Sequence, residues 1–99
     1  MVKHIVLFKL KDEAPAEARL AAMNAFKAAI EALPAKIPFI RSIEVGLNIN
    51  PAETWSIALY SEFDCLDDVR RYAVHPDHVA AGKLLAEVRE SRACVDYEL

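Results

Sequence analysis

Two of the chain's three histidines and one of its three tyrosines fall within seven residues, Tyr72-Ala73-Val74-His75-Pro76-Asp77-His78. Imidazole and phenol are the groups that move or polarise protons near neutral pH, so chemistry is expected here first. Pro76 fixes its own φ and pushes His75 into extended backbone, so a helix reaching Tyr72 must end and another begin at Pro76. His78 then lies in the first turn of the new helix. There the positive end of the helix dipole disfavours imidazolium and leaves a neutral ring able to accept a proton. Tyr72 and His78 are placed to converge on one pocket. His75 reads chiefly as the helix cap, acting through its carbonyl while its ring hydrogen-bonds nearby.

Other chemistries find little support. The net charge is −3 and Lys and Arg are scattered, which lacks the electrostatic footprint of a nucleic-acid binder. With two glycines, Gly46 and Gly82, neither a dinucleotide fingerprint nor a phosphate loop can be built. Ser42, Ser56, Ser61 and Ser91 sit in no nucleophile elbow. His75-x-x-His78 is half of a zinc motif without a second compact pair, so no metal and no cofactor are expected. Cys65 and Cys94 fit no Cys-x-x-Cys pattern and read as reduced, mostly buried thiols. No segment has membrane length and no leader is evident at Met1, so the expected location is cytoplasmic, without a membrane partner.

The elements that must position these residues follow from periodicity. Val2 to Leu10 alternates as a strand; Leu20, Met23, Phe26, Ile30 and Leu33 recur at helical spacing between Pro15 and Pro34. A second strand is expected from Phe39 to Leu47 and a third from Trp55 to Phe63. Asp64 is the expected N-cap of a short helix through Tyr72. A helical stretch with Val79, Leu84, Leu85 and Val88 follows the Pro76 break, and a short last strand runs from Arg92 to Glu98. This order is the split βαβ, or ferredoxin-like, α+β arrangement in one domain, residues 1–99, with a four-stranded antiparallel sheet and helices on one face.

Strand one is apolar on both faces: Val6 and Phe8 point one way, Ile5 and Leu7 the other. Two helices cover one face only, so the open face is expected to pack on the sheet of a second copy, giving a homodimer with a barrel-like interior. His4 alternates with Val6 and Phe8, and these three line the pocket wall if their face is the barrel interior. Tyr60 and Trp55 read as dimer or core residues.

At this point the chain resembles the stress-responsive A/B barrel (Dabb) family of dimeric α/β barrels. The resemblance rests on Val2-Lys3-His4-Ile5-Val6-Leu7-Phe8-Lys9, Ile37-Pro38, Val45-Gly46-Leu47-Asn48, Tyr72 with His75-Pro76-Asp77-His78, and Asp96-Tyr97. It implies a ferredoxin-like subunit and a homodimer. A plant polyketide cyclase is similar around the same motif, which implies catalytic roles for His78 and Tyr72 in aldol-type chemistry. A neutral base and a phenolic donor to an enolate oxygen suit such chemistry. Some plant relatives hold magnesium through carbonyls matching Ile30 to Lys36. Phe39 stands where similar proteins usually have Gly, so a ring is expected at one end of the pocket. Two function classes follow: an enzyme acting on a hydrophobic, carbonyl-containing small molecule with His4, Val6, Phe8 and His75 as binding residues, or a non-catalytic stress-related binding protein using the same pocket.

Overall fold

The computed structural model describes residues 1–99. Strand β1 (Val2–Leu10) leads into helix α1 (Ala16–Glu31), followed by a single 3-10 turn at Leu33–Ala35. Strands β2 (Ser42–Leu47) and β3 (Ile57–Phe63) form the central hairpin, and α2 (Leu66–Val74), α3 (Pro76–Lys83) and β4 (Arg89–Glu98) complete the chain. The sheet order is β2-β3-β1-β4 with every neighbouring pair antiparallel. This is the ferredoxin-like arrangement, with the helices on one face.

Strict alternation in β1 buries Val2, His4, Val6, Phe8 and Leu10 and leaves the residues between them half-buried. The buried row meets Phe26 and Ile30 of α1, Val69 and Tyr72 of α2, Ala81 of α3, and Leu85 and Val88 beyond it. Phe8 and Phe26 meet edge to face, their centroids 5.3 Å apart, a preferred aromatic geometry. The face bearing His4, Val6 and Phe8 is therefore covered by the chain's own helices. It does not form the wall of an inter-sheet barrel, and a single chain presents an open sheet rather than a closed barrel. β1 is apolar on both faces, so its alternation could not indicate which face the helices cover.

The opposite row, Lys3, Ile5, Leu7 and Lys9, is continued by register through Tyr97, Val95 and Ala93 on β4 and through Tyr60 and Ala58 on β3. Val95 is 54% exposed and Tyr97 41%, so this face carries apolar surface open to solvent.

Local differences from the sequence reading have physical causes. β2 begins at Ser42 rather than Phe39, because the Ile40 N–H turns back onto the Ile37 carbonyl (3.2 Å). β3 begins at Ile57 rather than Trp55. Asp64 does not cap α2. It forms a forked pair with the Arg41 guanidinium (2.6 and 3.0 Å), and the Cys65 cap position has no side-chain bond. The last strand is ten residues long rather than short, because it pairs with β1 along nearly the whole of that strand. No helix is long and apolar enough to cross a membrane.

Candidate functional site

Between the helix side of the sheet and α3 lies a cavity of about 80 Å³. That is several times the roughly 10–15 Å³ that one water requires on such a measure. Val6, Phe8, Phe26 and Leu59 form its apolar wall, Gly82 leaves room on the α3 side, and His4, His78, Arg89 and Arg92 supply the polar groups.

His4 is positioned by both neighbouring strands. Its register partner on β4 is Asp96, and its Nδ1 meets the Asp96 carboxylate. On the other side, the buried Ser61 hydroxyl donates to the His4 carbonyl at 3.4 Å. A carboxylate on Nδ1 holds the proton there and leaves Nε2 as the acceptor. Cys94, two residues from Asp96 on the same face, brings its Sγ to 3.6 Å from the same nitrogen.

His78 is positioned by the break between α2 and α3. His75 is extended (φ −63°, ψ 134°), its Nδ1 accepts from the Asp77 N–H at 3.1 Å, and its carbonyl accepts from Val79 at 3.0 Å. It is the cap anticipated from Pro76 and is not part of the cavity wall. One turn on, His78 donates from Nδ1 to the Ala73 carbonyl, 3.0 Å away, which leaves Nε2 without its proton. Burial, more than any other influence, lowers the His78 pKa, with the charges of Arg92, His4 and His75 adding to it and the Ala73 bond opposing it. The shift favours the neutral ring, with desolvation as its main cause.

The Tyr72 ring packs 4.2 Å from His78 and 6.0 Å from His4, centroid to centroid. Its hydroxyl is buried and has no hydrogen-bond partner. Burial pushes the phenol pKa well up, so the group stays protonated and able to donate. Tyr72 contacts both imidazoles without lining the cavity itself. Phe39 also stays out of the cavity, its ring lying under the Arg71 guanidinium at 4.1 Å.

Asp96, Cys94, Arg92 and Arg89 were not singled out as site residues from the sequence. By register, Asp96, Cys94 and Arg92 occupy the helix-side row of β4 opposite His4, Val6 and Phe8. Those three lie within the strand expected from Arg92 to Glu98, where the alternation that located His4 could have found them; Arg89 falls before that expected strand. Both cysteines are exposed rather than buried, because Cys65 sits at the open start of α2 and Cys94 lies on an edge strand beyond the helix layer. His4 Nδ1, Cys94 Sγ and an Asp96 oxygen lie within 4.8 Å of one another and are the group with metal-ligand spacing. The His75/His78 pair is not such a group, since one ring caps α3 and the other faces the cavity.

The model of the stress responsive A/B barrel domain, Dabb, matches residues 2–99. The chain belongs to the Dabb family. It is 34% identical over 101 residues to an uncharacterized protein of Streptomyces coelicolor, covering 99% of each. A stress-response A/B barrel domain-containing protein of Arabidopsis thaliana is 30% identical over 98 residues, covering 98% of this chain; the Dabb chain spans 46% of that protein's length. A dimeric protein of unknown function and ferredoxin-like fold from Bacteroides fragilis superposes with a TM-score of 0.98 at 74% identity, covering 99% of this chain and 95% of that one. A hydroxynitrile lyase from Passiflora edulis shares the fold at 18% identity (TM-score 0.71, 97% and 90% covered).

Proposed function

We propose that this Dabb protein is a homodimer, joined through the open sheet faces, whose helix-side cavities bind a small hydrophobic molecule carrying a carbonyl and transfer a proton within it. The observation that carries the reading is the cavity that His4 and His78 both line, with the Tyr72 ring packed behind His78 and its hydroxyl buried without a partner. An unsatisfied buried phenol costs about 1–3 kcal/mol, and a ligand oxygen would relieve it. In this reading His78 Nε2 takes a proton from the carbon beside the carbonyl, and the Tyr72 O–H, which lies behind the cavity wall, donates to the enolate oxygen once the bound ligand displaces the His78 ring enough to reach it. The C–H electron pair becomes the enolate, and the imidazolium returns the proton when the enolate attacks a second carbonyl or is reprotonated. His4, oriented by Asp96, binds beside them, with Val6 and Phe8 as apolar floor. Exposed Val95 and Tyr97 support the dimer, as does the Bacteroides fragilis relative, itself described as dimeric.

The test is exchange of the α-hydrogens of simple 1,3-diketones for deuterium. The native protein should accelerate exchange, while His78→Ala and Tyr72→Phe should each abolish the acceleration without lowering the melting temperature appreciably. A large loss of stability in both variants would assign the pair to structure instead. The small cavity favours a second reading, binding without turnover, in which diketones bind but exchange no faster than in buffer.

A further inference from the structure

The β1–β4 ladder contains one irregularity, and it decides which charge faces the cavity. Pairing runs regularly from Val2↔Glu98 to Lys9↔Ser91, then shifts so that Leu10 lies opposite Arg89. In an unbroken register Glu90 would oppose Leu10, and its carboxylate would lie on the helix side. The extra residue at the bulge takes Glu90 out of that row, where it pairs with the Lys9 ammonium instead, and sets Arg89 on the helix side. Bulges beside functional sites commonly re-aim a side chain in this way. Arg92 joins the same row opposite Phe8. Both residues line the cavity, and neither is ion-paired, nor is the distant Arg19, whereas Arg41, Arg70 and Arg71 each hold an aspartate. In a chain of net charge −3, two unpaired arginines at the one cavity with two imidazoles form a local positive site. Asp96, the nearby carboxylate, is already engaged by His4.

We propose that Arg89 and Arg92 recognise an anionic group on the ligand, so that the preferred ligand class is a short carboxylic acid carrying a carbonyl, its apolar part against Phe8 and Leu59. The proposal rests on the cavity being the ligand site. A planar guanidinium takes a carboxylate through two parallel hydrogen bonds, which makes arginine the suitable residue for the task.

The probes are acetoacetate and its neutral counterpart acetoacetamide, titrated against the full chain while the imidazole resonances of His4 and His78 are followed by NMR. Acetoacetate should shift both resonances and bind at least tenfold more tightly than the amide, with affinity falling as salt is added. Arg92→Gln and Arg89→Gln should each weaken acetoacetate about tenfold and leave the amide unchanged, and Arg92→Lys should recover part of the loss. Equal binding of acid and amide, with both shifting His78, would overturn the anion site while leaving the cavity reading intact. If neither probe moves either resonance, both readings are overturned. Undiminished acetoacetate binding in the Arg89→Gln/Arg92→Gln double variant would overturn the assignment of these residues.

Discussion

Two neighbouring rows of side chains point to the same side of the sheet and have opposite character. On β1 the row is Val2, His4, Val6, Phe8 and Leu10, all buried; on β4 it is Asp96, Cys94, Arg92 and Arg89, all exposed. They are paired residue against residue, so the backbone does not cause the difference. The helix layer does: its core contacts end over β1, and the edge strand is left in water. What the contrast teaches is that the interior row supplies shape and the edge row supplies charge, with His4 the single residue that takes part in both.

The largest break in this contrast comes from the interior. Phe26→Ala removes a ring that is 1% exposed and packed on Phe8, and should cost roughly 3–5 kcal/mol in denaturant unfolding. The opposite face gives the next effect: Val95→Glu places a charge in the centre of the exposed apolar patch, and sedimentation should show monomers while acetoacetate binding persists. A dimer that withstands this change would place the interface elsewhere.

Tyr72→Phe sharpens the comparison at the seam between the rows. Removing an unpartnered buried hydroxyl should raise stability by about 1 kcal/mol while diketone exchange is lost. A residue serving only the fold would show no such opposition.

The smallest effect is in pH. The folded pKa of His78 lies below its ordinary 6.5, so between those values the unfolded chain holds more protons than the folded one. Stability from this group is complete above pH 6.5 and is lost as pH falls from there through the folded pKa. The Tm drop between pH 7 and pH 5 should therefore be smaller in His78→Asn than in the native chain. Glu31, Glu62 and Asp64, whose pKa values are lowered by partners Lys27, Lys3 and Arg41, lose their contributions at more acid pH.

Much of this was legible beforehand, and the reasons it was not complete are specific. β1 was readable from Val2 to Leu10 because every second residue is apolar, and the His75–Pro76 cap because proline permits few alternatives. The start of β4 was not, since Arg89, Glu90 and Ser91 carry no apolar alternation, and the strand there is defined by pairing with β1. The Asp64 cap failed for a different reason. A tertiary partner, Arg41, competes for the same carboxylate, and such competition is invisible to local pattern. His4 was placed with the right neighbours under the wrong cover, because two apolar faces on one strand leave the identity of each lid open.

The bulge at Lys9/Leu10 also bears on how such a scaffold diversifies. A slip of one residue at the edge strand would exchange Arg89 for Glu90 at the cavity and reverse its sign, while the apolar row of β1 keeps every contact it has. The sign of the charge at the cavity can thus change through a one-residue change of register on the edge strand, without rebuilding the cavity wall.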